Sequence, residues 1–335
     1  MSKRILVTGG AGFIGNCFIR HILNKYPDYN VLNLDVLTYA GNIENLDDVK
    51  NNSNYKFVHG NICDKKLVRE LISQVDWVVN FAAESHVDRS ITGPEIFIET
   101  NVQGTLNLLQ ASKEIGIERY LQVSTDEVYG SLGQTGYFYE TTPIQPNSPY
   151  SASKASADLL VRAYYETYGL PVLTTRCSNN YGPYQYPEKL IPFFISQLLK
   201  GEKVPVYGDG LNVRDWLYVY DHCAAIDTVL HKGKVGEVYN IGGHNEKTNM
   251  EITKIILSAM GKDESSIKYV EDRLGHDKRY AIDNTKIQTE LGWKPSLIFE
   301  EGIKLTIDWY LKNQDWIQSI EKKKERGKEE KLSNA

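Results

Sequence analysis

Five strand-favouring residues, Arg4-Ile5-Leu6-Val7-Thr8, run directly into Gly9-Gly10-Ala11-Gly12-Phe13-Ile14-Gly15, and no other stretch restricts the fold as tightly. Beyond the turn, Ile14, Phe18, Ile22 and Leu23 recur at helical spacing. Strand, glycine turn and helix in that order are the context a dinucleotide fingerprint requires. Gly9 permits a tight turn, Gly12 lets the backbone approach a pyrophosphate, and Gly15 lets helix pack on strand. The spacing is GxxGxxG rather than GxGxxG, and a glycine turn alone is a weak signal. Val31-Leu32-Asn33-Leu34-Asp35 strengthens it, because a second strand ends in an acid 20 residues beyond Gly15. A carboxylate there accepts hydrogen bonds from a ribose and repels a 2′-phosphate, which predicts NAD rather than NADP. The plainer reading of Asp35 is a strand-end turn residue.

Alternation of strand and helix continues. Tyr55–Val58 and Asp76–Phe81 read as strands, with Asp64 capping a helix through Leu71 and Ile72 between them. The fourth strand runs into Ala82-Ala83-Glu84-Ser85-His86, whose small alanines would let a cofactor lie against the backbone. His86 is evenly balanced between a ligand contact and an ordinary strand-end histidine. No histidine spacing supports a metal site. An amphipathic segment covers 96–115, and Arg119–Val123 is a fifth strand. Pro171–Cys177 is a sixth. The expected fold is α/β, a doubly wound parallel sheet carrying a smaller α/β lobe. A dinucleotide domain is expected over 1–178 and a mainly substrate-binding lobe over 179–318, with some interleaving of the two. From Ser178 the alternation turns irregular, with helical patterns at 221–231, 249–260 and 299–312. Residues 319–335 read as a charged, solvated tail.

Ser124-Thr125-Asp126-Glu127 follows the fifth strand, at the end where open α/β sheets place ligands. Further on, Ser148 and Pro149 look like the N-cap and first position of a helix, which puts Tyr150 and Lys154 one turn apart on one face. An ammonium beside a phenol favours phenolate and lowers its pKa from roughly 10. Adjacent carboxyls add an acid and a base. In an ideal strand Asp126 and Glu127 would face opposite sides, so both serve one site only if the chain turns there. Each element alone is more often plain surface. Arg214, Asn249 and the Asp272–His276 loop offer polar groups suited to an anionic ligand, or are simply surface polarity.

A net charge of -5 with no basic stripe excludes a nucleic-acid partner. No apolar run is long enough for a membrane span, and strand material begins too early for a signal peptide. Cys17, Cys63, Cys177 and Cys223 show no CxxC spacing and read as reduced thiols of a cytoplasmic protein.

The blocks GGAGFIG, FAAESHVDRS, STDEVYG, PNSPYSASKAS, RCSNNYGPYQ, EKLIPFFI, VYGDGLNVRDWLYVYDH and DRLGHDKRYAID resemble the extended short-chain dehydrogenase/reductases over nearly the whole chain. Within that family they are most similar to the nucleotide-sugar 4,6-dehydratases. GxxGxxG is that family's glycine spacing. Thr125-Asp126-Glu127 separates dehydratases from the related 4-epimerases, which carry small residues there. The resemblance implies Tyr150 and Lys154 in oxidation at C4, Glu127 as the C5 base, Asp126 as the acid at O6, and Thr125 bonded to the 4-oxygen. It implies NAD contacts at Gly9, Gly12, Phe13, Ile14, Gly15, Asp35, Thr38, Asn61, Ile62, Ala82, Ala83, Thr100, Ser124, Tyr150, Lys154 and Asn180. Substrate contacts are implied at Ser85, His86, Thr125, Asn179, Lys189, Leu190, Pro205, Tyr207, Arg214, Asn249, Asp272 and His276. The expected substrate is a nucleotide-activated glucose, with thymidine against uridine left open, and the product a 4-keto-6-deoxy sugar for deoxysugar synthesis. Val36, Asn61 and Leu274 depart from the family pattern, the first two on the adenosine side. The resemblance also implies a homodimer through a four-helix bundle of the 96–115 and 149–168 helices. A 4-epimerase or a non-catalytic NAD-binding scaffold would share the fold without needing the acid pair.

Overall fold

The computed structural model describes residues 2–333. The chain alternates β1 (Arg4–Thr8), α1 (Phe13–Lys25), β2 (Asn30–Asp35), β3 (Tyr55–His59), α2 (Lys65–Ile72), β4 (Trp77–Asn80), α3 (Val87–Thr92), α4 (Glu95–Phe97), α5 (Thr105–Ile115), β5 (Arg119–Thr125), α6 (Pro149–Tyr168) and β6 (Val172–Cys177). It continues through β7 (Asn179–Tyr181), α7 (Leu190–Leu199), β8 (Val204–Tyr207), β9 (Val213–Tyr218), α8 (Val219–Lys232), β10 (Val238–Ile241), β11 (Glu246–Thr248), α9 (Asn249–Ala259), β12 (Ile267–Val270), α10 (Thr285–Leu291), α11 (Phe299–Lys312) and α12 (Gln314–Ser333). A π-helical stretch, Ile98–Gly104, joins α4 to α5.

Seven parallel strands form the main sheet in the order β10-β6-β5-β4-β1-β2-β3. Alternate side chains of β1 face opposite layers, as the strand period requires. Ile5 and Val7 pack under α1 and α8 with Phe18, Ile19, Ile226 and Val229. Leu6 packs on the other face with Val68 of α2, Leu108 of α5 and Val161 of α6. Both faces are thus covered, which is why the strands read as continuous apolar runs. Strand order reverses between β1 and β4, and that crevice is where doubly wound sheets bind ligands.

The lobe has its own core, built from Tyr181, Phe194, Trp216, Ile256, Phe299 and Tyr310 around sheets β11-β9-β7 and β12-β8. Its segments are interleaved with the large sheet, since β10 returns to pair with β6 and α8 packs on α1. The stretch after Ser178, irregular in the sequence, contains β7, paired in parallel with β9. Helix α7 carries no clear helical signal in the sequence, because Leu190–Leu199 is apolar nearly all round.

Residues 319–325 depart from the expected solvated tail. Helix α12 buries Ile317 and Ile320, and it pairs Glu321 with Lys200 and Lys323 with Glu44. Apolar residues ahead of the charge run anchor the helix, which the run itself conceals. Residues 334–335, also assigned to that tail, lie outside the described residues.

Candidate active site

A cleft of about 340 Å³ opens over the carboxyl ends of β1, β2, β4, β5 and β6. Gly9 has φ +71°, and a Cβ there would come within 2.7 Å of the Ala82 backbone nitrogen. At Gly15 a Cβ would stand 2.3 Å from the Gly9 carbonyl oxygen, so α1 packs on the turn only with glycine. The first turn of α1 carries no acid, which leaves its N-terminus suited to an anion. Asp35 ends β2, with Oδ2 accepting from the Ala11 amide at 2.9 Å and Oδ1 from Leu37 at 2.8 Å. Each oxygen retains acceptor capacity for a ribose hydroxyl. Burial raises its pKa, and these two amides oppose the rise.

All the residues assigned to NAD line this one cleft: Gly9, Gly12, Phe13, Ile14, Gly15, Asp35, Thr38, Asn61, Ile62, Ala82, Ala83, Thr100, Ser124, Tyr150, Lys154 and Asn180. Buried polar atoms of Ser124, Ser178 and Asn179 in its wall have no protein partner, as a polar ligand in the cleft requires. A glycine cradle, an acid at the second strand end and unpartnered polar atoms together fit a dinucleotide.

The catalytic candidates stand in the same cleft. Strand β5 ends at Thr125, and Asp126–Tyr129 folds into a 3-10 turn. The Thr125 hydroxyl caps that turn, accepting from the Glu127 amide at 3.3 Å. The turn brings both carboxyls to the cleft, which a continued strand would not do. Their environments differ. Burial pushes Asp126 well above the ordinary carboxylate range, and neighbouring Glu127 and Asp215 push it further. Glu127 is also raised by burial, but Lys189, Arg214 and Arg273 hold its charged form. Asp126 is thus the harder of the two to ionise and Glu127 the easier, a separation in the direction that acid and base roles need.

Helix α6 starts where the sequence indicated, with Ser148 and Ser151 in a capping box and Pro149 in the first turn. Tyr150 and Lys154 are both buried in the cleft wall. The expected ammonium-to-phenol pairing differs, however: Lys154 Nζ donates to the Val123 carbonyl at 2.7 Å. Burial raises the Tyr150 phenol well above its ordinary value, with Glu127 adding to the rise and Thr125 opposing it. Burial likewise lowers Lys154, against the pull of Asp158. A buried ammonium takes the nearest carbonyl, so i,i+4 spacing alone did not fix its partner.

Of the substrate candidates, Ser85, Thr125, Asn179 and Lys189 line the cleft. Lys189 Nζ donates to the Ser85 carbonyl at 3.0 Å, joining lobe and sheet. His86, Leu190, Pro205, Tyr207, Arg214, Asn249, Asp272 and His276 lie outside that wall. His86 caps α3 and stands 3.9 Å from Glu188. Leu190 opens α7, Pro205 and Tyr207 sit on β8, and Asn249 opens α9. His276 Nδ1 lies 2.6 Å from Asp272 Oδ1, with its ring 6.3 Å from that of Tyr207. The Arg214 guanidinium is buried, donates to the carbonyls of Val213 and Asp277, and lies over the Tyr280 ring at 4.4 Å. Among the described residues it has no carboxylate ion pair. Burial lowers its pKa, and Tyr280 and Glu127 oppose that.

Sequence reasoning missed Glu84, Gln185, Tyr186 and Glu188, which also line the cleft. Adjacency was the available signal, since Glu84 follows the two alanines and Glu188 precedes Lys189. Among the described residues no cluster suits a metal ion.

The family model described as GDP-mannose 4,6 dehydratase matches residues 6–306. A dTDP-glucose 4,6-dehydratase of Xanthomonas campestris is 57% identical, over 94% of this chain and 95% of its own. A Streptomyces venezuelae dTDP-glucose 4,6-dehydratase, solved with NAD and TYD bound, is 53% identical with a TM-score of 0.93, covering 95% of this chain and 99% of that one. A UDP-glucose 4-epimerase of Thermotoga maritima is 32% identical with a TM-score of 0.86, covering 93% and 99%. The chain therefore belongs to the family described by the GDP-mannose 4,6 dehydratase model, and its relatives at more than half identity include several dTDP-glucose 4,6-dehydratases.

Proposed function

We propose that this chain dehydrates dTDP-glucose to dTDP-4-keto-6-deoxyglucose with NAD as a recycled cofactor. The observation that carries the reading is the turn at the end of β5, which presents Asp126 and Glu127 to the cleft that holds Tyr150 and Lys154. Bound NAD supplies a hydride acceptor for C4 and a hydride donor for C6. Tyr150 takes the proton of the sugar 4-hydroxyl, with Thr125 beside its oxygen. Lys154, held on the Val123 carbonyl one helical turn along, is the cation that favours its phenolate against the rise that burial causes. A 4-ketone acidifies the C5 proton, which Glu127 removes. Asp126, whose acid form burial favours, delivers its proton to the departing 6-hydroxyl as water leaves, and Glu127 returns a proton to C5 when C6 receives hydride. Retention of both an acid and a base favours dehydration, because 4-epimerisation uses neither.

Arg214 is the proposed diphosphate partner, as a buried guanidinium without a carboxylate suits an anion. Ser85, Asn179 and Lys189 would hold the sugar, while Tyr207, Asn249, Asp272 and His276 would hold the nucleotide end. We place the chain in the cytoplasm as a homodimer. Its described cysteines are free, no described helix is long and apolar enough to cross a membrane, and Leu159 and Tyr168 of α6 and Ile98 of the preceding helical segment are exposed. Incubating purified protein with dTDP-glucose and with UDP-glucose tests the reading. A 4-keto-6-deoxy product from dTDP-glucose is expected; a C4 epimer, or no turnover, would contradict it.

A further inference from the structure

The carboxyls that matter most make few bonds of their own. Asp126 Oδ1 meets the Thr125 hydroxyl at a long 3.4 Å, and Asp126 Oδ2 is buried without a partner. Their location is therefore set by the backbone of the Asp126–Tyr129 turn. One end of that turn is capped by Thr125. The other end is Tyr129, whose ring is buried and whose hydroxyl makes two bonds. It donates to Asn240 Oδ1 on β10 at 2.8 Å and accepts from Arg176 Nη1 on β6 at 3.0 Å. Arg176 Nε in turn donates to Asp158 Oδ2 on α6 at 2.9 Å. Asp158 lies one helical turn beyond Lys154, and Arg176 immediately precedes Cys177 of the cleft wall. All four side chains are buried. The hydroxyl thus links the turn bearing the acid pair to the helix bearing Tyr150 and Lys154.

A buried ion pair such as Asp158–Arg176 is weak grounds for stability, because desolvation offsets its attraction. Its geometric effect is stronger, since a guanidinium bonded at Nε and Nη1 has a fixed orientation. We propose that Tyr129, held by Arg176, Asp158 and Asn240, is a positioning residue that sets where Asp126 and Glu127 stand relative to Tyr150 and Lys154. This rests on the dehydratase reading above. It implies that elimination, and not the preceding oxidation, depends on the Tyr129 hydroxyl.

The test is rapid mixing of holoenzyme with dTDP-glucose, following reduced-nicotinamide absorbance, C5 deuterium exchange and product. Tyr129→Phe keeps the ring stacked on Phe138 (centroids 5.0 Å apart) and within 4.9 Å of the Arg176 guanidinium, and removes the hydroxyl alone. Oxidation should proceed at the wild-type rate, elimination should slow by about 10- to 100-fold, as for a group misplaced by roughly 1 Å, and KM should not change. Reduced nicotinamide would then accumulate. Arg176→Lys, which keeps the charge and loses the two-bond geometry, should show the same step-specific loss and decides the matter alone if Tyr129→Phe does not fold. Folded variants that match wild type at every step, or that slow both steps equally, overturn the proposal. Wild-type protein that fails to dehydrate dTDP-glucose would instead overturn the functional reading on which it rests.

Discussion

On the dinucleotide side of the cleft, wall residues stand where a strand ends or the next helix begins: Gly9 after β1, Asp35 at the end of β2, Ala82 and Ala83 after β4, Ser124 in β5. The proposed substrate residues differ: Lys189 in the cleft wall, and Arg214, Asn249 and His276 outside it, come from four separate segments of a lobe whose own sheets are short. The first set is fixed by local geometry, the second by how distant segments dock. Substitutions on the two sides should therefore fail differently, through cofactor retention on one and through substrate affinity on the other.

The largest expected effect is at the cradle. Gly15→Ala puts a Cβ 2.3 Å from the Gly9 carbonyl oxygen and 2.8 Å from the Gly10 Cα, an overlap of backbone that no side-chain rotation relieves. The variant should lose bound NAD during gel filtration, as read by the nicotinamide content of the protein peak. Wild-type retention would show that the turn is looser than its packing indicates.

Next comes the lobe. Arg214→Ala should raise KM for dTDP-glucose by about 2 kcal/mol, roughly 30-fold, while bound NAD is kept. It should also move the pH profile. Glu127 acts as a base only when ionised, so activity rises with pH through its pKa, which burial has already raised. Arg214 opposes that rise, and its removal should shift the ascending limb to higher pH. An unchanged KM and limb would return Arg214 to a structural role.

A smaller effect is expected at Asp35. Asp35→Asn keeps one acceptor oxygen and removes the charge that repels a 2′-phosphate, so the preference for NAD over NADP should narrow by about 10-fold, measured as a ratio of dissociation constants. The smallest kinetic effect should come from α12. Ile317→Ala opens space in a buried position and should cost about 2–4 kcal/mol of stability, seen as a lower Tm, with kcat and KM unaltered at moderate temperature.

This contrast also explains what was legible in the sequence. Strand-end residues could be read because period, glycine placement and N-caps are local; Asp64 and Ser148 cap the helices they were assigned to. For Asp126 and Glu127 to serve one site the chain must turn at Asp126, and a 3-10 turn does so. Three features were hidden for physical reasons. The Lys154 contact with Val123 depends on where β5 passes α6, not on spacing within α6. Glu84 and Glu188 reach the cleft through the docking of loops far apart in the chain. Helix α12 is held by a few apolar residues ahead of a charge run that looked solvated.

The central claim is that oxidation and elimination use separate groups in one cleft. Rapid-mixing absorbance of reduced nicotinamide, with solvent-deuterium incorporation at C5, tests it most directly. Asp126→Asn and Glu127→Gln should form reduced nicotinamide yet slow elimination by about 10²- to 10⁴-fold, with C5 exchange lost in the Glu127 variant. Tyr150→Phe should form none. Carboxyl variants that yield product at the wild-type rate, or a Tyr150→Phe enzyme that still reduces its nicotinamide, would contradict the account.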